Sequence, residues 1–378
     1  MGTSQICVIQ VVDSLPRGGM ERVAVILANG LARLGCDSHI VSSRSYGSLE
    51  EEIDPSVKSW CAGRTSRYDL KGIRRIARYV DDNGIQVIHS HNHRSSYLIR
   101  VVLWFAKSRP VHVVHDHHGP GLRNRRKGLL DWLMLRHVDA YLAVSEAIRD
   151  RASRLLSLPE GRCLYLRNGV VLPPEAPPHR GRPTVIQAAC LDGPKDHTTA
   201  VRAAHIIRKE FPDLRWCCAG KITDPPTPYL QKLQGIIESL GMQGCFELMG
   251  ECSDVSALLR EGNVGVLTSI AEGLPMAVLE YMATGLPVVM TDVGQAPAIL
   301  RSGNAGLVAR PGDPEGIARA ILTILKDPAL AARLGRAGRQ YVGDHYTADR
   351  MVEEVYSLYA TLLAGKDNAA SHAVRQER

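Results

Sequence analysis

Aromatic residues make up only 5% of the 378 residues, and three of them are phenylalanine. So thin a supply argues against a surface of stacked rings for single-stranded nucleic acid, and no recognition motif accompanies the basic residues, so no nucleic-acid partner is expected. The chain also lacks any apolar run near the roughly 18–20 residues that a membrane span requires. Its best candidate, residues 97–106, is too short and is broken by Arg100. Residues 1–10 hold no basic segment followed by an apolar core, so no secretory signal is expected. The nine cysteines are odd in number and lack paired short spacings, which predicts free thiols in a reducing compartment. These absences together predict a cytoplasmic chain. No short-period repeat or low-complexity block interrupts it.

What remains is an ordinary globular composition, 45% hydrophobic with a mean hydropathy of −0.10. The length suits two domains. Charge is divided unevenly: residues 1–180 hold 26 Lys and Arg against 17 Asp and Glu, whereas the rest hold 20 against 22. The first half therefore carries a net +9 and the second −2, so only the first is expected to meet an anionic surface.

Apolar strand-like runs alternate with amphipathic helical patterns, the signature of parallel α/β sheets. The first half reads as strands at 6–12, 39–42, 86–89, 111–115 and 140–144, with helices at 21–34, 71–82, 95–106 and 127–136 between them. Residues 173–183 carry five prolines and read as a linker. A strand at 184–189 restarts the alternation, and helices at 314–326, 328–341 and 348–363 close the chain. The domains are thus expected at 1–172 and 184–345, with residues 365–378 disordered.

The segment Glu272-Gly-Leu-Pro-Met-Ala-Val-Leu-Glu280 carries the strongest chemical signal. Pro275 suits the first turn of a helix, where its missing N–H costs nothing. Glu272 then lies on the loop before the helix and Glu280 on its side. A helix N-terminus favours a diphosphate, and the flanking carboxylates can accept hydrogen bonds from sugar and ribose hydroxyls. A capped helix with two solvated glutamates would give the same spacing. Upstream, Gly265-Val-Leu-Thr-Ser269 reads as a buried strand, and Gly285-Leu-Pro-Val-Val-Met-Thr-Asp292 with Gly306-Leu-Val follow.

This stretch resembles the donor-binding half of the retaining nucleotide-sugar glycosyltransferases of family GT4, and the glutamate pair matches that family's E-x7-E motif. The likeness runs from about Val8 to about Leu363. It implies the GT-B fold, an α/β architecture of two Rossmann-like doubly wound domains facing a cleft, with the last helix (346–364) packed back on the N-terminal, acceptor-side domain. The C-terminal domain would then bind the donor, a UDP- or GDP-sugar, through Gly273, Leu274 and Met276 as well as Glu272 and Glu280. Gly250 and Glu251 match the segment bordering the base. Gly18 and Gly19, after the first strand, match the glycine loop facing the diphosphate. Lys195 matches the lysine that neutralises the leaving group. The family's accompanying arginine is replaced here by Cys190, and Lys221 is the candidate to supply that charge. His115 ends a strand where the family carries a histidine near the transferred sugar, so the catalytic set is His115, Glu272 and Lys195.

Half of the 14 histidines fall between His89 and His118. A zinc site is a tempting reading. On a strand, however, His89 and His91 share one face with no carboxylate or cysteine placed to complete a set, and similar enzymes need no metal, so none is expected. Arg123, Arg125, Arg126 and Lys127 precede a Trp-containing apolar helix. Such a helix can lie on an anionic bilayer, each basic residue adding about 1 kcal/mol; the alternative is a solvated loop before a core helix. The resemblance implies transfer of a sugar to a hydroxyl of a saccharide or lipid-linked acceptor, in polysaccharide or glycolipid synthesis at the inner membrane face. Two rivals stand beside it: a nucleotide-sugar epimerase of the same fold, and a non-enzymatic partner subunit, for which Cys190 is the motive.

Overall fold

A computed structural model describes residues 5–117, 125–175, 179, 181–222 and 226–376, with backbone alone at 125–127 and 367–376. The chain divides into two compact units, Met1–Gly169 with Ala348–Arg378, and Val170–Thr347. In the first, the elements run β1 (Cys7–Ser14), α1 (Gly19–Arg33), β2 (Asp37–Ser45), β3 (Lys58–Cys61), α2 (Leu70–Asp82) and β4 (Val87–His91). They continue with α3 (Asn92–Phe105), β5 (Val111–Asp116), α4 (Arg125–Leu135), β6 (Ala140–Ala143), α5 (Glu146–Leu156) and β7 (Cys163–Tyr165). The second unit holds β8 (Thr184–Ala188), α6 (His197–Ile207), β9 (Arg215–Ala219), α7 (Pro228–Ser239), β10 (Phe246–Gly250), α8 (Val255–Arg260) and β11 (Val264–Leu267). After these come α9 (Met276–Thr284), β12 (Val288–Thr291), α10 (Ala296–Ser302), β13 (Gly306–Ala309), α11 (Pro314–Lys326) and α12 (Pro328–His345), and α13 (Ala348–Gln376) returns to the first unit.

Each unit is one parallel sheet. Strand order is β3-β2-β1-β4-β5-β6-β7 in the first and β10-β9-β8-β11-β12-β13 in the second. Central strands such as Val8-Ile9-Gln10-Val11-Val12 are buried on both faces, as a sheet covered by helices on both sides demands. Polar caps set the helix starts: Asp69 accepts from Gly72 N, Ser145 from Ile148 N and Asp313 from Gly316 N.

Gly30 admits the final helix. A Cβ there would come within 2.3 Å of Val352, so its absence lets α13 lie against α1. Tyr359, fully buried on α13, reaches Gln10 and His89 in the sheet.

Several boundaries differ from the sequence reading. The units part at Gly169/Val170, ahead of the proline-rich segment, because Val170 bridges to Thr347 and donates to Tyr346 O at 2.9 Å. The tail expected to be disordered continues α13 to Gln376, with the helix-favouring Ala369, Ala370 and Ala373 in it; residues 377–378 lie outside the described part. Two short edge strands, β3 and β7, escaped the pattern.

Candidate active site

The second sheet reverses its order between β8 and β11. Doubly wound sheets hold ligands at such a switch point, outside the carboxyl ends of the strands. The loops leaving these two strands bring together two of the sequence-predicted residues: Lys195 Nζ lies 2.6 Å from Glu272 Oε1. Ser269 Oγ donates to the same carboxylate oxygen at 2.6 Å. The pair is partly screened from water, with side-chain exposures of 22% and 9%.

The two loops are stitched to each other. Thr268 Oγ1 reaches Lys195 O and Asp196 O at 3.0 Å each, and Ile270 N donates to Pro194 O at 2.9 Å. A third loop, after β12, braces them: Gln295 N donates to Gly273 O at 3.0 Å, and Thr291 Oγ1 to Ser269 O. Gly294 has φ +69°, and a Cβ there would sit 2.6–2.7 Å from the carbonyls of Gly273 and Glu272. Only glycine fits that approach. Asp192 completes the local charge; burial raises its carboxyl above the usual range, with Lys195 opposing and Glu272 adding to the rise. Thr268, Asp192 and Gly294 were not singled out from the sequence. The Gly294 signal was legible in principle, since a glycine closing a strand-to-helix turn repeats the pattern at Gly18.

Helix α9 starts at Met276, with Pro275 as its N-cap residue (φ −70°, ψ 122°) instead of in its first turn. Pro275 O accepts from Val278 N at 3.2 Å, so extended backbone at the cap leads straight into the helix. Glu272 lies on the preceding loop and Glu280 is half-buried, roughly 6 Å along the axis from Met276. Leu274 and Met276 are buried, which leaves mainly their backbone groups to offer a ligand. Tyr281 fixes the helix over the switch point. Its ring occupies the space a Cβ on Gly265 would need, its hydroxyl accepts from Ala188 N at 2.6 Å, and it donates to Val266 O at 3.3 Å.

Lys221 is exposed just beyond β9, the neighbour of β8. Gly220 before it packs on the Cys190 loop so closely that a Cβ would meet Ala189 O at 2.0 Å and Cys190 Cα at 3.4 Å. Lys221 and the exposed Cys190 therefore sit on adjoining loops. Gly250 (φ +75°) and the exposed Glu251 leave β10, on the far side of β9.

In the first unit the order reverses between β1 and β4. Gly18 caps α1 and Gly19 opens it; a Cβ on Gly18 would strike Glu21 Oε2 at 2.3 Å. His115 is fully buried at the end of β5, beside His91 on β4. Burial drives the imidazoles of His89, His91 and His115 well below the usual range, so they are neutral. His93 behaves oppositely. Burial opposes its charge, but contacts to Asp116 at 3.3 Å and Asp131 at 3.1 Å raise it to about 10.

Asp131 turns the polar side of α4 inward, while Leu129, Leu130 and Leu133 are 59%, 45% and 51% exposed. Arg136 stacks on Trp132, 4.0 Å from the ring centre. Of the basic cluster before them, Arg123 lies outside the described residues, and Arg125, Arg126 and Lys127 are described as backbone of α4.

The model of "Glycosyl transferases group 1" matches residues 173–341, and that of "Glycosyltransferase Family 4" matches 17–172. A putative glycosyltransferase of Bacillus subtilis, EpsD, is 26% identical over 328 residues, covering 79% of this chain and 84% of its own. The lipopolysaccharide core biosynthesis mannosyltransferase LpcC of Rhizobium leguminosarum is 26% identical over 252 residues, or 64% of this chain and 69% of its own. Among solved structures, Anabaena HepE in complex with UDP and glucose superposes with a TM-score of 0.81 at 15% identity, covering 94% of this chain and all of that one. That likeness shows the GT-B fold.

Proposed function

We propose that this chain, which belongs to the family 4 glycosyltransferases, is a retaining hexosyltransferase that moves a sugar from a UDP- or GDP-sugar to a hydroxyl of a saccharide or lipid-linked acceptor. The observation that carries this reading is the Lys195–Glu272 pair at the β8/β11 switch point, directly before α9. An arriving diphosphate competes for Lys195 and draws its ammonium off the carboxylate. Glu272 is then free to accept from hydroxyls of the transferred sugar, held in place by Ser269. The first-turn N–H groups of α9 face the same anion, and Glu280 is assigned to the ribose. His115 and the glycines of the first unit are assigned to the sugar and diphosphate from the acceptor side.

As the glycosidic bond to the donor breaks, negative charge grows on the departing phosphate. Lys195 and the helix N–H groups stabilise it there with no metal at this site. The acceptor proton passes to that phosphate. The similarity to the lipopolysaccharide core mannosyltransferase LpcC and to HepE, solved with UDP and glucose, supports a hexose donor and a role in polysaccharide or glycolipid synthesis. Retention is tested by proton NMR of the first-formed product: an α-linked donor should give an α-glycoside, and a β-glycoside would overturn the retaining assignment. Donor conversion without acceptor would instead indicate an epimerase.

Among the described residues, no helix is long and apolar enough to cross a membrane. We assign α4, with its outward leucines and its first residues Arg125, Arg126 and Lys127, together with Arg123 just before it in sequence, to peripheral contact with anionic lipid. Vesicles containing anionic lipid should retain the protein and salt should release it. Serine at the four basic positions should abolish retention, and equal retention on neutral vesicles would contradict the assignment.

A further inference from the structure

Beyond the carboxyl ends of β2 and β3 the first unit buries a cation that its surroundings do not neutralise. Ala62 N donates to Ser42 O and Arg64 N to Ser43 O, each at 2.9 Å, so the chain leaving β3 stays beside β2. Gly72, in the first turn of α2, leaves room for the Arg64 stem: a Cβ there would lie 2.5 Å from Arg64 Cγ. Arg64 is 8% exposed.

A buried guanidinium usually meets a carboxylate, since burying an unpaired charge is costly. Arg17, on the loop after β1 with its side chain 10% exposed, does so: Glu52 lies 2.5 Å away and Glu51 3.8 Å. Arg64 has no ion pair among the described residues; its Nη1 reaches Ser43 Oγ at 3.5 Å, its Nη2 reaches Ser66 O and Arg67 O at 3.2 and 3.5 Å, and its Nε has no partner. Such contacts are long beside the usual N–H···O distance of about 2.9–3.0 Å. The carboxylates that act on it from farther off are engaged elsewhere. Asp13 takes Ser43 Oγ at 2.9 Å, and Asp69 takes Gly72 N at 2.9 Å and Thr65 N at 3.3 Å.

The neighbourhood adds positive charge. Burial pulls the Arg64 guanidinium below its usual range, with Asp13 opposing, Arg44 adding to the fall and Asp69 opposing. The first turn of α2 holds Lys71 and no acidic residue, and a helix N-terminus is itself positive. Arg44, near the end of β2, and Arg67, on the loop after β3, are exposed. So are Tyr46 and Tyr68, at 52% and 73%, and the Arg67 guanidinium lies 4.7 Å from the centre of the Tyr68 ring. Arginine forks match the oxygens of a phosphate, and a tyrosine offers an apolar face with a polar tip to the group that carries it.

We propose that Arg44, Arg64 and Arg67 bind a phosphate group carried by the acceptor, an assignment that rests on the transfer reaction proposed for this chain and names the chemistry of its acceptor. Arg44 and Arg67 supply direct bonds to the phosphate oxygens. Arg64 supplies charge behind them and holds the loop through Ser66 O and Arg67 O. The donor diphosphate is not the guest here. It is assigned to Lys195 and α9, and in the first unit to the glycines after β1, whereas β3 is the edge strand, two places away from β1.

The test titrates glycerol 3-phosphate, inorganic phosphate and glycerol into the full chain by calorimetry, with and without saturating UDP and GDP. We expect glycerol 3-phosphate to bind at one site whether or not nucleotide is present, more tightly than inorganic phosphate, and glycerol not to bind. Arg44→Ser should weaken the ester about tenfold and Arg64→Gln at least as much. Arg64→Lys, which keeps the charge and loses the fork, should recover part of the loss. A merely structural Arg64 would make the Lys and Gln variants alike and leave Arg44→Ser binding like the parent. Arg78→Ser, exposed on α2, should bind like the parent. If Arg64→Gln fails to fold, Arg44→Ser decides. Displacement of the ester by nucleotide, inorganic phosphate binding as tightly as the ester, or equal binding by the parent and Arg44→Ser overturns the proposal. Failure of both nucleotides to bind would contradict the transfer reading instead, and the nucleotide-free titrations would still decide this site.

Discussion

The two sheets reverse their strand order in the same manner but fill the ends of their strands differently. In the second unit the β8/β11 point holds Lys195 and Glu272 in a short ion pair braced by Ser269 and a glycine-built loop. In the first unit the strands beyond the β1/β4 point end in buried, neutral imidazoles. Similar architecture thus supports two kinds of chemistry. Mobile charge beside a helix N-terminus suits an anion that arrives and leaves; buried neutral imidazoles leave the ends of their strands without such charge. Net charge runs the other way, since the first half is the basic one. Bulk charge therefore points to a surface partner, and the local pair, not the total, marks the proposed donor site.

The sharpest way to break this contrast is to remove the charge at the second point. Lys195→Ala should lower turnover by two to three orders of magnitude, because a lost donor at a developing charge costs about 2.7–4 kcal/mol. Single-turnover kinetics with saturating donor checks it, and a loss below threefold would dissociate the pair from the chemistry. A smaller effect tests how the missing arginine is covered. Lys221→Ala should slow turnover about tenfold, roughly 1.4 kcal/mol, and Cys190→Arg in that background should restore it. If Lys221→Ala leaves the rate intact while Cys190→Arg raises it in the parent, Lys221 is a bystander.

The smallest effect concerns a buried imidazole of the second unit. His197 is held down to about 4, chiefly by burial, with Lys195 adding and Asp196 opposing. A folded-state value below the unfolded one near 6.5 means the neutral ring's stability is present above pH 6.5 and is lost as pH falls toward about 4. The contribution is at most about 3 kcal/mol. His197→Gln should make the decline of melting temperature between pH 6.5 and 4 shallower, and an unchanged slope would count against it.

The proposed donor site could be assembled from the sequence because its residues lie on short loops beside recognisable strands. Glu272 and Glu280 sit within one segment, and Lys195 follows the first strand after the proline-rich stretch. What was hidden depends on contacts between distant segments. Gly265 gives no hint that Tyr281 lies on it, and nothing beside Gly294 shows that two carbonyls crowd it. The clustering of the histidines is plain in the sequence, but their neighbours across the sheet are not. Register between β4 and β5 sets His91 beside His115, a neighbour that neither strand shows alone. Edge strands β3 and β7 are short and half-exposed, so they carry no buried run to read.

Calorimetric titration of isolated UDP and GDP into the parent, Glu280→Ala and Glu272→Ala tests the central assignment most directly. The parent should bind one of the two nucleotides at one site. Glu280→Ala should weaken that binding about 10- to 150-fold, the loss of a charge-assisted bond worth roughly 1.5–3 kcal/mol. Glu272→Ala should still bind the bare nucleotide while failing to transfer sugar. Equal affinity in all three proteins, or no binding to the parent by either nucleotide, would contradict the placement of the donor at this switch point.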